Sequence, residues 1–217
     1  MSYPRNMVPR MTTQLSVVLT DVNAKVVDAW RSAFAENPEV TIVKGSILTQ
    51  KADAWVTPTN SHGAMNGGVD GVIHRHLGPG IQLRVQRAIR DAFDGTLPIG
   101  SAVCVPSGAA NPAYLISTPT MEHSAENVRE TLNVALACAA AFQAVHMQNA
   151  VQRGSISSLA LVGMGAATGK VPPQICANLM WAAYTLFQDH AFTDWSDLRD
   201  TVTAQLTPAT ERVRIRR

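Results

Sequence analysis

The chain is short of cysteine, of net charge and of long apolar runs, and each shortage removes a class of protein. Its three cysteines, Cys104, Cys138 and Cys176, are odd in number, lie far apart and form no CxxC pair. That argues against a disulfide framework or a zinc ribbon and fits a reducing compartment. The opening MSYPRNMVPRMTTQ lacks the apolar stretch of a secretory signal, and nowhere do uninterrupted apolar residues approach the roughly 18 of a membrane span. A soluble, cytoplasmic protein without a membrane partner is expected. Net charge is only +2, much of it in the last stretch, ERVRIRR, so the body is near neutral and does not read as a nucleic-acid groove. There is no GxxxxGK[ST] phosphate loop, no GxGxxG with an acid about 20 positions on, no internal repeat and no low-complexity tract.

What remains is a chain of 217 residues, 46% hydrophobic, enough for one sizeable core. Residues 1–13, with prolines and no periodicity, read as a flexible N-terminal segment. Residues 14–192 read as the domain, and 193–217 as a C-terminal helix and basic tail. Strand signals fall at Leu15–Thr20, Val40–Val43, Ala54–Thr57, Ala102–Val105, Tyr114–Ser117 and Leu159–Gly163. Between them lie helical spacings. Val22, Val26, Val27, Trp30 and Phe34 mark the first, with Asp21 or Asn23 as its cap. Val69, Val72, Ile73 and Leu77 mark the second. A third runs from Ile81 to about Phe93, closed by Gly95. The longest is expected from about Ala125 to Ala150. The next follows Pro172 and Pro173, with Ile175, Leu179, Ala183 and Leu186 inward, and a short last helix lies near Asp194–Leu206. This alternation predicts an α/β fold, a three-layer α/β/α sandwich around a mixed, largely parallel sheet. Ligands of such folds gather beyond the carboxyl ends of the strands.

Two glycine-rich segments occupy such positions. TPTNSHGAMNGGVDGVIH, Thr57 to His74, leaves a buried strand and enters a helix. Gly67 and Gly68 permit close backbone approach, and the helix start offers amides and a positive dipole end to an anion. GMGAATGKVPP, Gly163 to Pro173, stands between the last strand and the next helix. Together the two can grip a diphosphate. Asp70 is the sole acid from Thr57 to Pro79, and a single carboxylate beside a ribose can hold a water against its anomeric carbon. Asn60 can donate to and accept from sugar hydroxyls. Equally, Asp70 can complement its helix dipole and Asn60 can close a turn.

The stretch VTIVKGSILTQKADAWVTPTNSHGAMNGGVDGVIHRHLGP, with LALVGMGAATGKVPPQICANLMWAAY, resembles the macro domain, an ADP-ribose-binding α/β/α family; the resemblance covers most of residues 15–190. It implies that Asn60 contacts the distal ribose and that Asp70 holds or activates the attacking water. Gly67, Gly68 and Val69 would form the first diphosphate loop. Gly163, Gly165, Ala166, Ala167, Thr168 and Gly169 would form the second, and Ser46 and Ile47 would lie at the adenine. Three positions depart from the family pattern. Ser46 replaces the aspartate that reads the adenine amine, a role Asp21 can assume if it is not a cap. Thr57 replaces the first asparagine of Asn-x-x-Asn. Ala166 and Ala167 replace Thr and Gly.

The resemblance implies binding of ADP-ribose or a derivative and hydrolysis of a bond at the distal ribose, as de-ADP-ribosylation or O-acetyl-ADP-ribose deacetylation. The alternatives are a non-catalytic reader of ADP-ribose or nucleotides and an ADP-ribose phosphate phosphatase. No cofactor is expected. No metal is expected either, since His74 and His76 point to different helix faces. Nucleic acid enters only as a modified substrate, and the oligomeric state is open. His62 reads as a loop residue facing ligand or solvent, Cys104 as a small core residue, and Lys170 as solvated.

Overall fold

The computed structural model describes residues 15–215, with side chains through residue 207. The segment expected at 1–13 and the side chains of the basic tail lie outside them. Six strands form one sheet: β1 (Ser16–Asp21), β2 (Thr41–Lys44), β3 (Ala54–Asn60), β4 (Val103–Pro106), β5 (Tyr114–Met121) and β6 (Ser158–Leu161). Each falls on a strand read from the sequence. β3 and β5 continue past the point where polar residues and a proline end the apolar signal. Several of their polar side chains are satisfied inside: Thr59 and Ser117 share a hydroxyl hydrogen bond of 2.8 Å, and Thr118 Oγ1 donates to the Ser101 carbonyl at 3.0 Å.

The strand order is β2-β1-β6-β3-β5-β4. Five strands run parallel, and β4 joins antiparallel at one edge through Val103↔Ser117. All five parallel strands therefore end on the same side. The β3–β5 register, which starts at Ala54↔Tyr114, slips at Thr59/Asn60, so that Asn60 pairs with Met121 and Thr120 is passed over. Such an irregularity re-aims side chains where pairing ends.

Helices α1 (Ala24–Ala33), α4 (Asn133–Val151), α5 (Pro173–Phe187) and the described part of α6 (Trp195–Ile215) cover one face around Trp30, Phe142 and Phe187. Helices α2 (Gly68–Leu77) and α3 (Gly80–Phe93) cover the other, around Trp55, Ile73, Ile81 and Leu115. The cap of α1 is Asn23, whose side chain accepts from the Lys25 N–H; Val22, outside the helix, is 72% exposed instead of inward. On α5, Leu179 and Ala183 are buried as expected, but Leu186 is exposed and the neighbouring Phe187 is buried in its place.

The start of α4 also differs from the sequence reading. Residues 122–132 form a loop, because Ala125 takes a positive φ and the Val128 N–H donates to the Gly169 carbonyl at 3.0 Å instead of joining a helix. α4 has the length and hydropathy to cross a bilayer, but 67% of that stretch is buried inside the domain, which makes it a core helix. α6 is longer than the short helix expected: Asp194 Oδ1 caps it by accepting from the Ser196 and Asp197 amides, and Leu198, Val202 and Leu206 pack it onto the domain.

At the sheet end opposite the parallel strand termini, Asp53 Oδ2 accepts from the amides and hydroxyls of Ser157 and Ser158, all at 2.8–2.9 Å. Burial opposes ionisation, but these donors outweigh it and hold the carboxyl below its ordinary range. A carboxyl so lowered stabilises the fold above its unfolded pKa and loses that contribution as pH falls through the folded value. Asp53→Ala should therefore cost roughly 1–3 kcal/mol near neutrality and progressively less below pH ~4, as read by denaturant unfolding across pH. A cost that does not diminish in acid would exclude the ionised bridge.

Candidate functional site

The ends of the parallel strands and the loops that leave them enclose a cleft of about 400 Å³, within the range of small-molecule sites. The strand order fixes its layout. At one end are residues at or just after the β1 and β2 termini: Asp21, Val22, Ser46 and Ile47. The loop after β6 crosses the middle. At the other end are the β3 and β5 termini, Asn60, Thr120 and Met121, with Asp70 on the first turn of α2.

The first loop is built by Asn60. Its Oδ1 accepts from the His62 and Ala64 amides at 3.0 and 3.3 Å, while Nδ2 donates to the Ala64 carbonyl at 3.3 Å and to Ser124 Oγ at 3.2 Å. A side-chain amide has two donor hydrogens and one acceptor oxygen, so all its hydrogen-bonding groups are in use. Asn60 thus lines the cleft while holding the 60–64 turn and tying it to the loop after β5. Gly67 stands at the N-cap of α2 with no side chain to cap the first-turn amides, and Gly68 sits at φ +53. That conformation suits glycine. The open helix start, with Gly67, Gly68, Val69 and Asp70, borders the cleft.

The second loop leaves no room for side chains at its ends. A Cβ on Gly163 would meet Asp21 Oδ2 at 2.8 Å, and one on Gly169 would meet the Gly165 carbonyl oxygen at 2.8 Å. The Gly163 N–H donates to Asp21 Oδ2 at 3.1 Å, and the Val171 N–H returns to the Gly165 carbonyl. Gly163, Gly165, Ala167, Thr168 and Gly169 line the cleft; Ala166 does not, being half-buried against the core. The two loops face each other, since a Cβ on Gly68 would lie 3.8 Å from Thr168 Oγ1. A hydroxyl thus stands at this loop one position after the two alanines.

At the β1–β2 end, Ser46 caps a 3-10 turn (Ile47–Thr49): its Oγ accepts the Leu48 N–H at 3.2 Å and keeps its own proton to donate. Asp21 lines the cleft, with Oδ1 accepting from Asn23 N–H and Oδ2 from Gly163 N–H. Asn23 is the helix cap, so Asp21 serves as a brace between β1 and the second loop.

At the opposite end, Thr57 Oγ1 donates to Asp70 Oδ1. Although Asp70 as a whole is half-buried, its carboxyl is turned toward Thr57, which has no exposure. Burial lifts that carboxyl from its ordinary 3.8 to about 7, against the downward pull of the Thr57 hydroxyl. Asp70 therefore changes charge near neutrality, as expected of an acid–base group in a cleft.

Other sequence candidates fall outside this constellation. One His74 ring nitrogen contacts the Met65 carbonyl at 3.1 Å, His76 lies against Trp55, and exposed His62 stacks on His123 at 5.6 Å without lining the cleft. Burial pushes the Cys104 and Cys176 thiols up to about 12 and Cys138 higher still, so none is a thiolate near neutrality. Exposed Lys170 does not line the cleft. Among the described residues, no three His, Cys, Asp or Glu side chains gather to hold a metal ion. The sequence reading missed Ala64, Asn66, Thr120, Met121, Ser124 and Ala125 on the cleft wall. Ala64 and Asn66 lay within the loop it quoted; Thr120 and Met121 lie at the β3–β5 slip, and Ser124 and Ala125 in the loop after β5, tied in through Asn60, none of which leaves a local signal.

A family model of the Macro domain matches residues 56–180. An uncharacterized protein of Aquifex aeolicus is 34% identical over 147 residues, 65% of this chain and 78% of that one. A macro domain-containing protein of Streptomyces coelicolor is 39% identical over 79 residues, which span 36% of this chain and less than half, 47%, of that relative. Among solved structures, the macrodomain of DarG from Mycobacterium tuberculosis superposes with a TM-score of 0.56 at 20% identity, over 68% of this chain and 90% of that one. The Oceanobacillus iheyensis macrodomain with ADP does so with a TM-score of 0.55 at 17% identity, over 76% and 90%. At such identities the structural likeness is one of fold.

The raised Asp70 carboxyl has a thermodynamic sign. The folded chain holds this proton more tightly than the unfolded one, so stability falls as pH rises from about 4 to about 7, and the full cost persists above that. Asp70→Asn should accordingly raise Tm at pH 8 and have much less effect at pH 4. An equal Tm difference at both pH values would show that the carboxyl is not ionising in a buried setting.

Proposed function

Because this chain belongs to the macro domain family, we propose that its cleft binds ADP-ribose or an ADP-ribosylated group and hydrolyses the bond at the anomeric carbon of the distal ribose. The observation that carries the reading is the opposition of the two glycine loops, Gly68 facing Thr168, with a titratable carboxyl at one end of the cleft. The loops supply backbone amides, and α2 a positive dipole end, for a diphosphate across the middle. The apolar side chains of Val22 and Ile47 with the Ser46 hydroxyl take the base. The Oceanobacillus macrodomain has been solved with ADP and, as a glycine-to-valine variant, with ADPR. Its asparagine, glycine and aspartate variants are spaced seven and three residues apart, the spacing of Asn60, Gly67 and Asp70 here.

In this reading ionised Asp70 accepts a proton from a water as that water adds to the anomeric carbon and the leaving group departs with the bonding pair. Among the described residues the cleft wall carries one other ionisable group, Asp21, at the opposite end. A leaving group that departs as a stable anion, such as a carboxylate from an ester, is then favoured over one that must be protonated. Asn60 acts by shaping the turn that receives the sugar.

Titration calorimetry with ADP-ribose, ADP and AMP tests the binding half. Gly68→Val should abolish ADP-ribose binding with the fold retained, since a branched side chain is strained at φ +53 and projects toward Thr168; unchanged affinity would remove the loop from the site. Turnover of mono-ADP-ribosylated protein tests the chemistry. Asp70→Ala should lower it roughly 100-fold or more with affinity nearly unchanged, and wild-type turnover should rise with pH through about 7. Asn60→Ala should weaken binding and turnover together. Binding without turnover at any pH would make the chain a reader of ADP-ribose.

A further inference from the structure

Thr57 stands where the sequence pattern leads one to expect an asparagine, and its side chain is occupied by a single task. It lies on β3 on the same face as Trp55, two residues back, under α2, and has no exposure. Its pairing with Ser117 of β5 fixes the backbone, and branching at Cβ leaves its side chain few rotamers. Its hydroxyl donates to Asp70 Oδ1, and Asp70 in turn has no other hydrogen-bond partner among the described residues. One carboxyl oxygen is thus fixed from below by a rigid strand, and Oδ2 is left free to address the cleft.

On the reading of the cleft given above, we infer that Thr57 is the positioning residue of this site: its buried hydroxyl orients the Asp70 carboxylate and stabilises its ionised form. A hydroxyl donating to a carboxylate makes a charge-assisted bond, stronger than the one it can make to the neutral acid. Without it, burial acts on Asp70 unopposed and the ionised base becomes scarcer at a given pH.

The surroundings supply no substitute. On α2, His74 is engaged with Met65 O, His76 lies against Trp55, and the Arg75 guanidinium would lie 3.3 Å from a Cβ on Gly71. On α3, which packs against α2, Arg84 donates to Ser107 O, Arg87 pairs with Asp91, and Arg90 is exposed. β3 has no ionisable residue and β5 only Tyr114 at its far end. Asp21 stands at the other end of the cleft.

The test replaces the hydroxyl and reads Asp70 directly. In Thr57→Val, nearly isosteric, the apparent pKa of Asp70, followed by carboxyl NMR on the unliganded protein, should rise by about one pH unit or more. The rising limb of turnover should move to higher pH by the same amount, leaving roughly a tenfold deficit below pH 7 and ADP-ribose affinity within about twofold of wild type. Thr57→Ser, which restores a hydroxyl, should return both toward wild type. If the valine variant does not fold, Thr57→Ala removes the same hydroxyl without adding an apolar contact. A folded variant lacking the hydroxyl whose Asp70 titrates as in wild type overturns the inference. Absence of turnover in wild type at every pH would instead sink the hydrolase reading, and the NMR titration would still decide the role of Thr57.

Discussion

Parallel pairing governs everything at this site. A parallel strand can be reached only by a crossover, so each chain segment must leave the sheet at one end and return at the other. With β1, β2, β6, β3 and β5 so aligned, every departing loop emerges on the same side, and residues as distant as Asp21 and Gly163, or Asn60 and Ser124, meet there. The antiparallel strand β4 is the exception, sits at the edge and contributes nothing to the cleft. Chemistry at the strand ends is therefore a product of topology before it is one of residue choice.

Within that frame the two loops are held in different ways. The first is held by a side chain: one asparagine satisfies two amides, a carbonyl and a serine hydroxyl, and so replaces regular structure over residues 60–64. The second is held by the lack of side chains: its glycines let the backbone press against Asp21, Val26, Val128 and its own carbonyls at distances no Cβ tolerates. Rigid loops matter to a site that must place amides around an anion, because donors fixed in advance need no reorganisation when the ligand arrives.

Much of this was legible in the sequence, for physical reasons that differ by element. All six strands carry compact β-branched or apolar runs, and the loops announce themselves by glycine. The α4 boundary was misplaced because the segment from Ala125 carries apolar residues at helical spacing, yet Val128 is buried by a long-range bond to Gly169, and periodicity cannot distinguish the two. Asn60 and Asp70 were visible as candidates. Their environments were not: saturation of the asparagine amide and burial of the carboxyl depend on Ser124, Ala64 and Thr57, contacts fixed by folding. Thr57 stood out only as a departure from a pattern, and its role became apparent once α2 was laid across β3.

The brace made by Asp21 has an effect on how the cleft receives a ligand. Its two oxygens are divided between the start of α1 and the second glycine loop. Each oxygen keeps a further lone pair, so a ligand donor at the β1–β2 end can reach Asp21 without displacing the Gly163 amide. A group arriving there meets a carboxylate already anchored through both oxygens, and so has little reorganisation to drive at that end.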